Sequence, residues 1–159
     1  MRIQLWWRIA LFAAGLAAFA QSSAADEHTL MRFPTLYRNT IVFEAHGNLW
    51  QVPRWGGMAS RLTADPGYDL MPRFSPDGKW IAFTSHMGGF QICVIPATGG
   101  SATPITAGED PSWSPNSRTL VCTRRSGGRY ALSVLDVFTK QVKDVARISG
   151  NDSQPAWAR

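Results

Sequence analysis

The phrase Pro72-Arg73-Phe74-Ser75-Pro76-Asp77-Gly78-Lys79-Trp80-Ile81-Ala82-Phe83-Thr84-Ser85 returns, altered, as Asp110-Pro111-Ser112-Trp113-Ser114-Pro115-Asn116-Ser117-Arg118-Thr119-Leu120-Val121-Cys122-Thr123. Pro111 follows Pro72 by 39 residues, and Pro155, which reopens the phrase as Pro155-Ala156-Trp157, follows Pro111 by 44. An earlier and more degenerate copy places Ile41-Val42-Phe43 at a step of 40 before Ile81-Ala82-Phe83. A period near 40 residues, written in short β segments, is the signature of propeller blades. The chain therefore reads as an all-β fold of about three four-stranded antiparallel blades plus a terminal strand, whose ring does not close within one chain, because propellers close with roughly four to eight blades.

The middle repeat shows how a blade is written. Leu70 to Phe74 is the first strand, and Ser75-Pro76-Asp77-Gly78 is a turn whose Asp-Gly supplies the positive φ of a tight hairpin. Lys79 to Ser85 and Phe90 to Ile95 are the second and third strands, separated by a glycine-bearing loop at 86–89. Thr103 to Thr106 is a short outer strand, where Pro104 is tolerable because an edge strand can lack one donor. The same four-part pattern gives blades at about 30–63, 70–106 and 110–147, with a terminal strand at 153–158. A sandwich or open barrel of the same strands is the competing arrangement, disfavoured because the repeating unit is a whole set of four strands.

Residues 1–25 stand outside this pattern. Arg2 and Arg8 precede an apolar run of 12 residues from Ile9 to Ala20, followed by Ser23-Ala24-Ala25. That is the form of a secretory signal peptide cut after Ala25, since roughly 18 or more apolar residues are needed to span a bilayer. A retained membrane anchor is the alternative, and no cysteine follows the run to carry a lipoprotein anchor. The expected location is the periplasm or the secreted space. Cleavage removes Arg2 and Arg8 and lowers the formal charge from +5 to +3. With no run of Lys and Arg interleaved with aromatics, nucleic acid is not an expected partner.

Cys93 and Cys122 would meet an oxidising compartment if the chain is exported. They occupy mid-strand slots of different rank in different blades, and read as two small buried hydrophobes, with a disulfide between them as the alternative.

The Ser-Pro-Asp-Gly-Lys turn, the Ile-Ala-Phe-Thr-Ser strand and the Gly-Gly before a closing Leu-Thr or Ile-Thr resemble the WD40-like propeller repeats of TolB-like proteins and tricorn-type peptidases. From Leu30 to Thr106, Met31-Arg32-Phe33-Pro34, Gly47-Asn48-Leu49-Trp50 and Arg61-Leu62-Thr63 are similar to the propeller that precedes the catalytic domain of tricorn-type enzymes. From Gly108 to Arg159, Asp110 to Pro115 and Ser153-Gln154-Pro155-Ala156-Trp157 resemble the last blade and C-terminus of TolB-like proteins. The first resemblance implies a propeller that feeds or gates a separate peptidase. The second implies a periplasmic, non-catalytic protein that binds envelope proteins and lipoproteins. The chain departs from both, lacking the α/β domain and further blades of TolB and any peptidase domain, so a truncated or fused remnant is a third reading.

No catalytic constellation stands in the sequence: there is no Gly-x-Ser-x-Gly elbow, no His-Glu-x-x-His, no Gly-x-x-x-x-Gly-Lys and no Cys-x-x-Cys. The Gly-Gly pairs at Gly56, Gly99 and Gly127 precede no helix and read as turn glycines. The expectation is a non-enzyme without cofactor or metal.

In an up-and-down blade, the loop between second and third strands and the link to the next blade emerge on one side. That rule gathers His46, His86, Arg124 and Arg125 from the first kind of loop with Asp65, Asp69, Glu109, Asp110 and Asp152 from the second. His46, His86, Arg124, Arg125, Asp69, Asp110 and Asp152 are the candidate rim residues for a protein or peptide partner. Each also has a plain reading as a solvated loop residue, a turn cap or a strand end. His46 and His86 would lie too far apart to share one metal ion. Trp50, Trp80, Trp113 and Trp157 fall in repeat-equivalent strand slots and read as packing residues. Two open blade faces should drive self-association or completion by another chain.

Overall fold

The computed structural model describes residues 30–147 and 154–157. Among them are twelve strands and no helix: β1 (Arg32–Tyr37), β2 (Thr40–Ala45), β3 (Asn48–Pro53), β4 (Ser60–Arg61), β5 (Tyr68–Phe74), β6 (Trp80–His86), β7 (Phe90–Pro96), β8 (Thr103–Ala107), β9 (Glu109–Trp113), β10 (Thr119–Ser126), β11 (Arg129–Asp136) and β12 (Val142–Arg147). They form three antiparallel four-stranded sheets in sequence order, β1 to β4, β5 to β8 and β9 to β12, and no sheet closes on itself. Residues 1–25, expected to be a signal peptide, and Asp152 lie outside the described residues.

Alternation along the middle blade creates two separate cores. Ile81, Phe83, Cys93 and Ile95 point to the first blade and meet Val42, Leu49 and Leu62. Ala82, Ile92 and Val94 point the other way and meet Trp113, Leu120, Cys122 and Leu135 of the third blade. Phe83 and Ile81 are fully buried, and each such side chain is worth roughly 1.5–3 kcal/mol of burial. The core of this molecule is thus a pair of blade-to-blade interfaces.

The first strands carry the stacking: β5 packs on β1, β2 and β3, and β9 packs on β5, β6 and β7. Each first strand also contains the same irregularity. The ladder shifts register between Arg32 and Thr35 and between Leu70 and Arg73, and again where β9 faces Val121 to Thr123. At these bulges Phe33, Met71 and Asp110 adopt left-handed φ values of 52°, 53° and 56°, each immediately before a proline. Gln154, before Pro155, does the same at 65°. The recurring proline thus marks a bulge that bends the first strand. Residues 154–157 form no strand, yet the Gln154 N–H donates to Asp110 Oδ2 at 3.0 Å, so this segment repeats the bulge beside β9.

One hairpin is longer than expected. Its ladder runs from Thr119↔Asp136 to Ser126↔Arg129, closed by Gly127 and Gly128 at φ 58° and 78°, the two positive φ values that a two-residue turn needs. Arg124 and Arg125 therefore sit in β10 rather than in a loop.

Candidate functional site

The links between blades and the hairpin loops joining second to third strands share one rim. The Asp69 N–H donates to Gly47 O at 2.9 Å, and the Gly108 N–H donates to Phe90 O at 3.0 Å. Gly67 has φ +129°, and a Cβ there would meet His86 O at 2.5 Å. The rim is tight enough to require glycine at that crossing.

Within this rim the candidate residues divide into two sets. Asp69 and Asp110 are buried, at 3% and 7% exposure. The Asp69 carboxyl is pushed up from its ordinary value by burial first, offset by hydrogen bonds from Thr63 and Ser85, with Asp65 adding to the rise. The Asp110 N–H donates to Thr84 Oγ1 at 3.1 Å and its carboxylate accepts from Gln154. These two candidate rim residues tie one blade to the next, because hydroxyls and N–H groups from neighbouring segments reach them. Arg124 is likewise engaged, donating to Ala107 O at 3.0 Å and pairing with Asp144 at 3.4 Å.

The other set faces solvent. His46 is exposed at φ 52°, and Arg125 is exposed with its guanidinium 5.4 Å from the Tyr130 ring centroid. His86 is half-buried and stacks edge-on against Phe90 at 4.7 Å. Three residues beside it escaped the sequence reading: Tyr68, Met87 and Phe90 are 61%, 46% and 45% exposed. Tyr68 pairs with His86, which pairs with Phe90, so an aromatic row lies along one face with Met87 at the adjoining loop. Phe90 opens a strand read from the sequence, whereas Tyr68 precedes the expected start at Leu70 and Met87 lies in the expected loop; the missing signal was exposure at strand ends.

A second concavity lies where the three first strands converge. It holds about 680 Å3 and is lined by Thr35, Leu36 and Tyr37 of β1, Arg73 to Pro76, Ser112, Trp113, Pro115 and Trp157. The Trp113 indole N–H donates to Arg73 O at 2.9 Å across the blade boundary. Trp113 and Trp80 pack in the second core, as expected of tryptophans in repeated slots.

Both cysteines are buried and unpaired. Cys93 belongs to the core between the first and second blades and Cys122 to that between the second and third, so the middle blade separates them. Burial raises both thiols to about 11. Among the described residues no cluster of His, Cys, Asp and Glu could hold a metal ion, and no helix is long and apolar enough to cross a membrane.

The family model described as the tricorn protease N-terminal beta propeller domain matches residues 28–130. The chain belongs to that family. Among relatives of this tricorn-type propeller, "Tricorn protease homolog 1" of Streptomyces coelicolor is 38% identical over 77 residues, 48% of this chain and 7% of its own length. The Tol-Pal system protein TolB of Xanthomonas campestris pv. campestris is 28% identical over 113 residues, covering 67% of this chain and 26% of its own. The crystal structure of TolB from Acinetobacter baumannii superposes with a TM-score of 0.66 at 26% identity, covering 76% of this chain and 33% of the other. The tricorn-type propeller thus spans about a quarter or less of these curated relatives, and the shared part is propeller.

Proposed function

We propose that this tricorn-type propeller is an exported, non-catalytic module that binds a protein or peptide of the cell envelope through its rim. The observation that carries the reading is the row in which exposed Tyr68 and Phe90 flank half-buried His86, with exposed Met87 beside it. Aromatic residues and methionine are enriched in the centres of protein interfaces, and a contiguous exposed group of them marks a docking surface. His46 and Arg125 supply the polar margin, while Asp69, Asp110 and Arg124 hold the loops that present it. The relatives named TolB support an envelope setting, and the segment at 1–25 supports export.

The terminal blade faces, on which Ile41, Trp50, Val52, Leu132 and Val134 are half-buried while Phe43 and Val121 are buried, favour further blades beside them. Ile41, Phe43, Trp50 and Val52 occupy on the first blade the slots of Ile81, Phe83, Cys93 and Ile95, which pack on a preceding blade. Val121, Leu132 and Val134 occupy on the third the slots of Ala82, Ile92 and Val94, which pack on a following one. The two ends are the two halves of an interface already made twice, so a second copy or another propeller chain fits them.

The test of the rim is retention of envelope proteins by immobilised full-length chain, compared with a Tyr68→Ser/Phe90→Ser double variant of unchanged circular dichroism. A discrete protein retained by the parent and lost at least tenfold from the variant is expected. Equal retention by both contradicts the rim, and a peptidase-module reading gains if the bound protein is itself a peptidase.

A further inference from the structure

We propose that the cleft at Arg73 is a carboxylate-binding site that receives an extended peptide through either an acidic side chain or a free C-terminus. The proposal rests on reading the chain as a protein- or peptide-binding module, but at a place distinct from the rim row. Among the described residues Arg73 is the one charged residue that lines the 680 Å3 cleft, and none of them is Asp or Glu. It is half-buried. Its guanidinium donates from Nη1 to the adjacent Pro72 O at 3.2 Å, leaving most of its five N–H donors for other partners.

The ion pairs among the described residues join Arg32 to Glu44, Lys79 to Asp77, Arg118 to Asp136 and Arg124 to Asp144; Arg73 enters none of them. Asp110 lines an adjoining hollow of about 170 Å3 together with Arg73, and one of its oxygens is taken by the Gln154 N–H. A guanidinium at a cleft whose lining includes aromatic residues favours a carboxylate, because charge-assisted, bidentate bonds are strongest where water is thin.

The surroundings suit a peptide better than a free anion. Tyr37 and Phe74 pack with ring centroids 5.7 Å apart, and they share the cleft wall with Trp113 and Trp157, giving apolar room for a side chain next to the cation. Thr35 and Ser112 line the same space with hydroxyls. The volume falls within the roughly 300–1,000 Å3 of small-ligand sites. The Arg73 backbone is also held in place, since its carbonyl accepts the Trp113 indole N–H.

Three probes separate the sources: N-acetyl-Ala-Phe-Ala with a free C-terminus, the same peptide amidated, and amidated N-acetyl-Glu-Phe-Ala. Each is titrated into the full-length chain labelled with 15N at arginine, following the Arg73 Nε–Hε resonance. A saturable shift from one or both carboxylate peptides is expected, at least tenfold tighter than from the neutral amide and at least tenfold weaker in Arg73→Gln. Arg73→Lys should keep part of it. A response to the free acid alone assigns a C-terminus, and a response to both assigns carboxylates in general. The proposal is overturned if no probe moves the resonance, if the neutral amide matches the acids, or if Arg73→Gln binds as the parent does while its amide spectrum stays folded. The Tyr68→Ser/Phe90→Ser variant should titrate unchanged, so loss of the rim reading and loss of this site give different results.

Discussion

The Tyr37 phenol donates a hydrogen bond of 2.9 Å to the carbonyl of Asp77, 40 residues away, and the Asp77 N–H donates in turn to Ser117 Oγ at 3.0 Å, 40 residues further on. One residue per blade, at the end of the first strand or in the turn that follows it, thus links all three blades. The Tyr37 ring lies directly against Gly78, where φ is +72° and a Cβ would collide with the ring. Tyr37→Phe should cost about 1 kcal/mol, the worth of one hydrogen bond. Gly78→Ala should cost more, because the left-handed penalty of roughly 1–2 kcal/mol is joined by the clash. Urea unfolding of both variants checks the order, and equal costs would contradict it.

Both cysteines should resist modification in the folded protein. Burial holds their thiols near 11, so little thiolate exists at pH 8 and none is accessible. Mass spectrometry after N-ethylmaleimide treatment should find no adduct in the native chain and two after denaturation without reductant. A mass lower by two hydrogens, insensitive to the reagent, would instead show a disulfide.

Asp136 gives a pH dependence of known sign. Its carboxylate accepts from the Thr139 N–H at 2.9 Å and from Arg118 Nε at 2.6 Å, and these hydrogen bonds, the Thr139 N–H foremost, hold its pKa down at about 2. The unfolded value is about 3.9. The folded pKa is depressed, so the stabilisation is present above pH 4 and is lost as pH falls through about 2. Asp136→Asn should lower Tm at pH 7, with a difference that shrinks steadily between pH 4 and 2. A difference independent of pH would show that shape rather than charge matters there.

Self-association through the free faces predicts a particle heavier than one chain in light scattering coupled to size exclusion. Leu132→Lys, which places a charge on the trailing face, should shift it towards the monomer with β-rich circular dichroism retained. A folded monomer in the parent would contradict completion by a second copy.

The blade pattern was legible because its punctuation is local: Pro76-Asp77-Gly78 and Gly99-Gly100 dictate turns whatever surrounds them. The rim was legible in outline, since strand order alone brings Gly47 to Asp69 and Phe90 to Gly108. Burial within it was not. Asp69 looks like a loop acid until the Thr63 and Ser85 hydroxyls arrive from the preceding link and the neighbouring strand. Arg124 looks like a loop cation until the third hairpin proves long enough to hold it in a ladder. The cleft needed the stacking itself, because Thr35, Arg73 and Ser112 meet only when three repeats converge. Their similar places in successive repeats were the signal available.

The most direct measurement of rim docking is site-specific photo-crosslinking in producing cells, with benzoylphenylalanine at Met87 on the rim and, for comparison, at Met58, which is 95% exposed at the outer edge of the first blade. A discrete protein adduct from position 87, absent from position 58 and lost when Tyr68→Ser and Phe90→Ser are added, is the result this account predicts. Equal adducts from both positions, or an adduct from 58 alone, would contradict it.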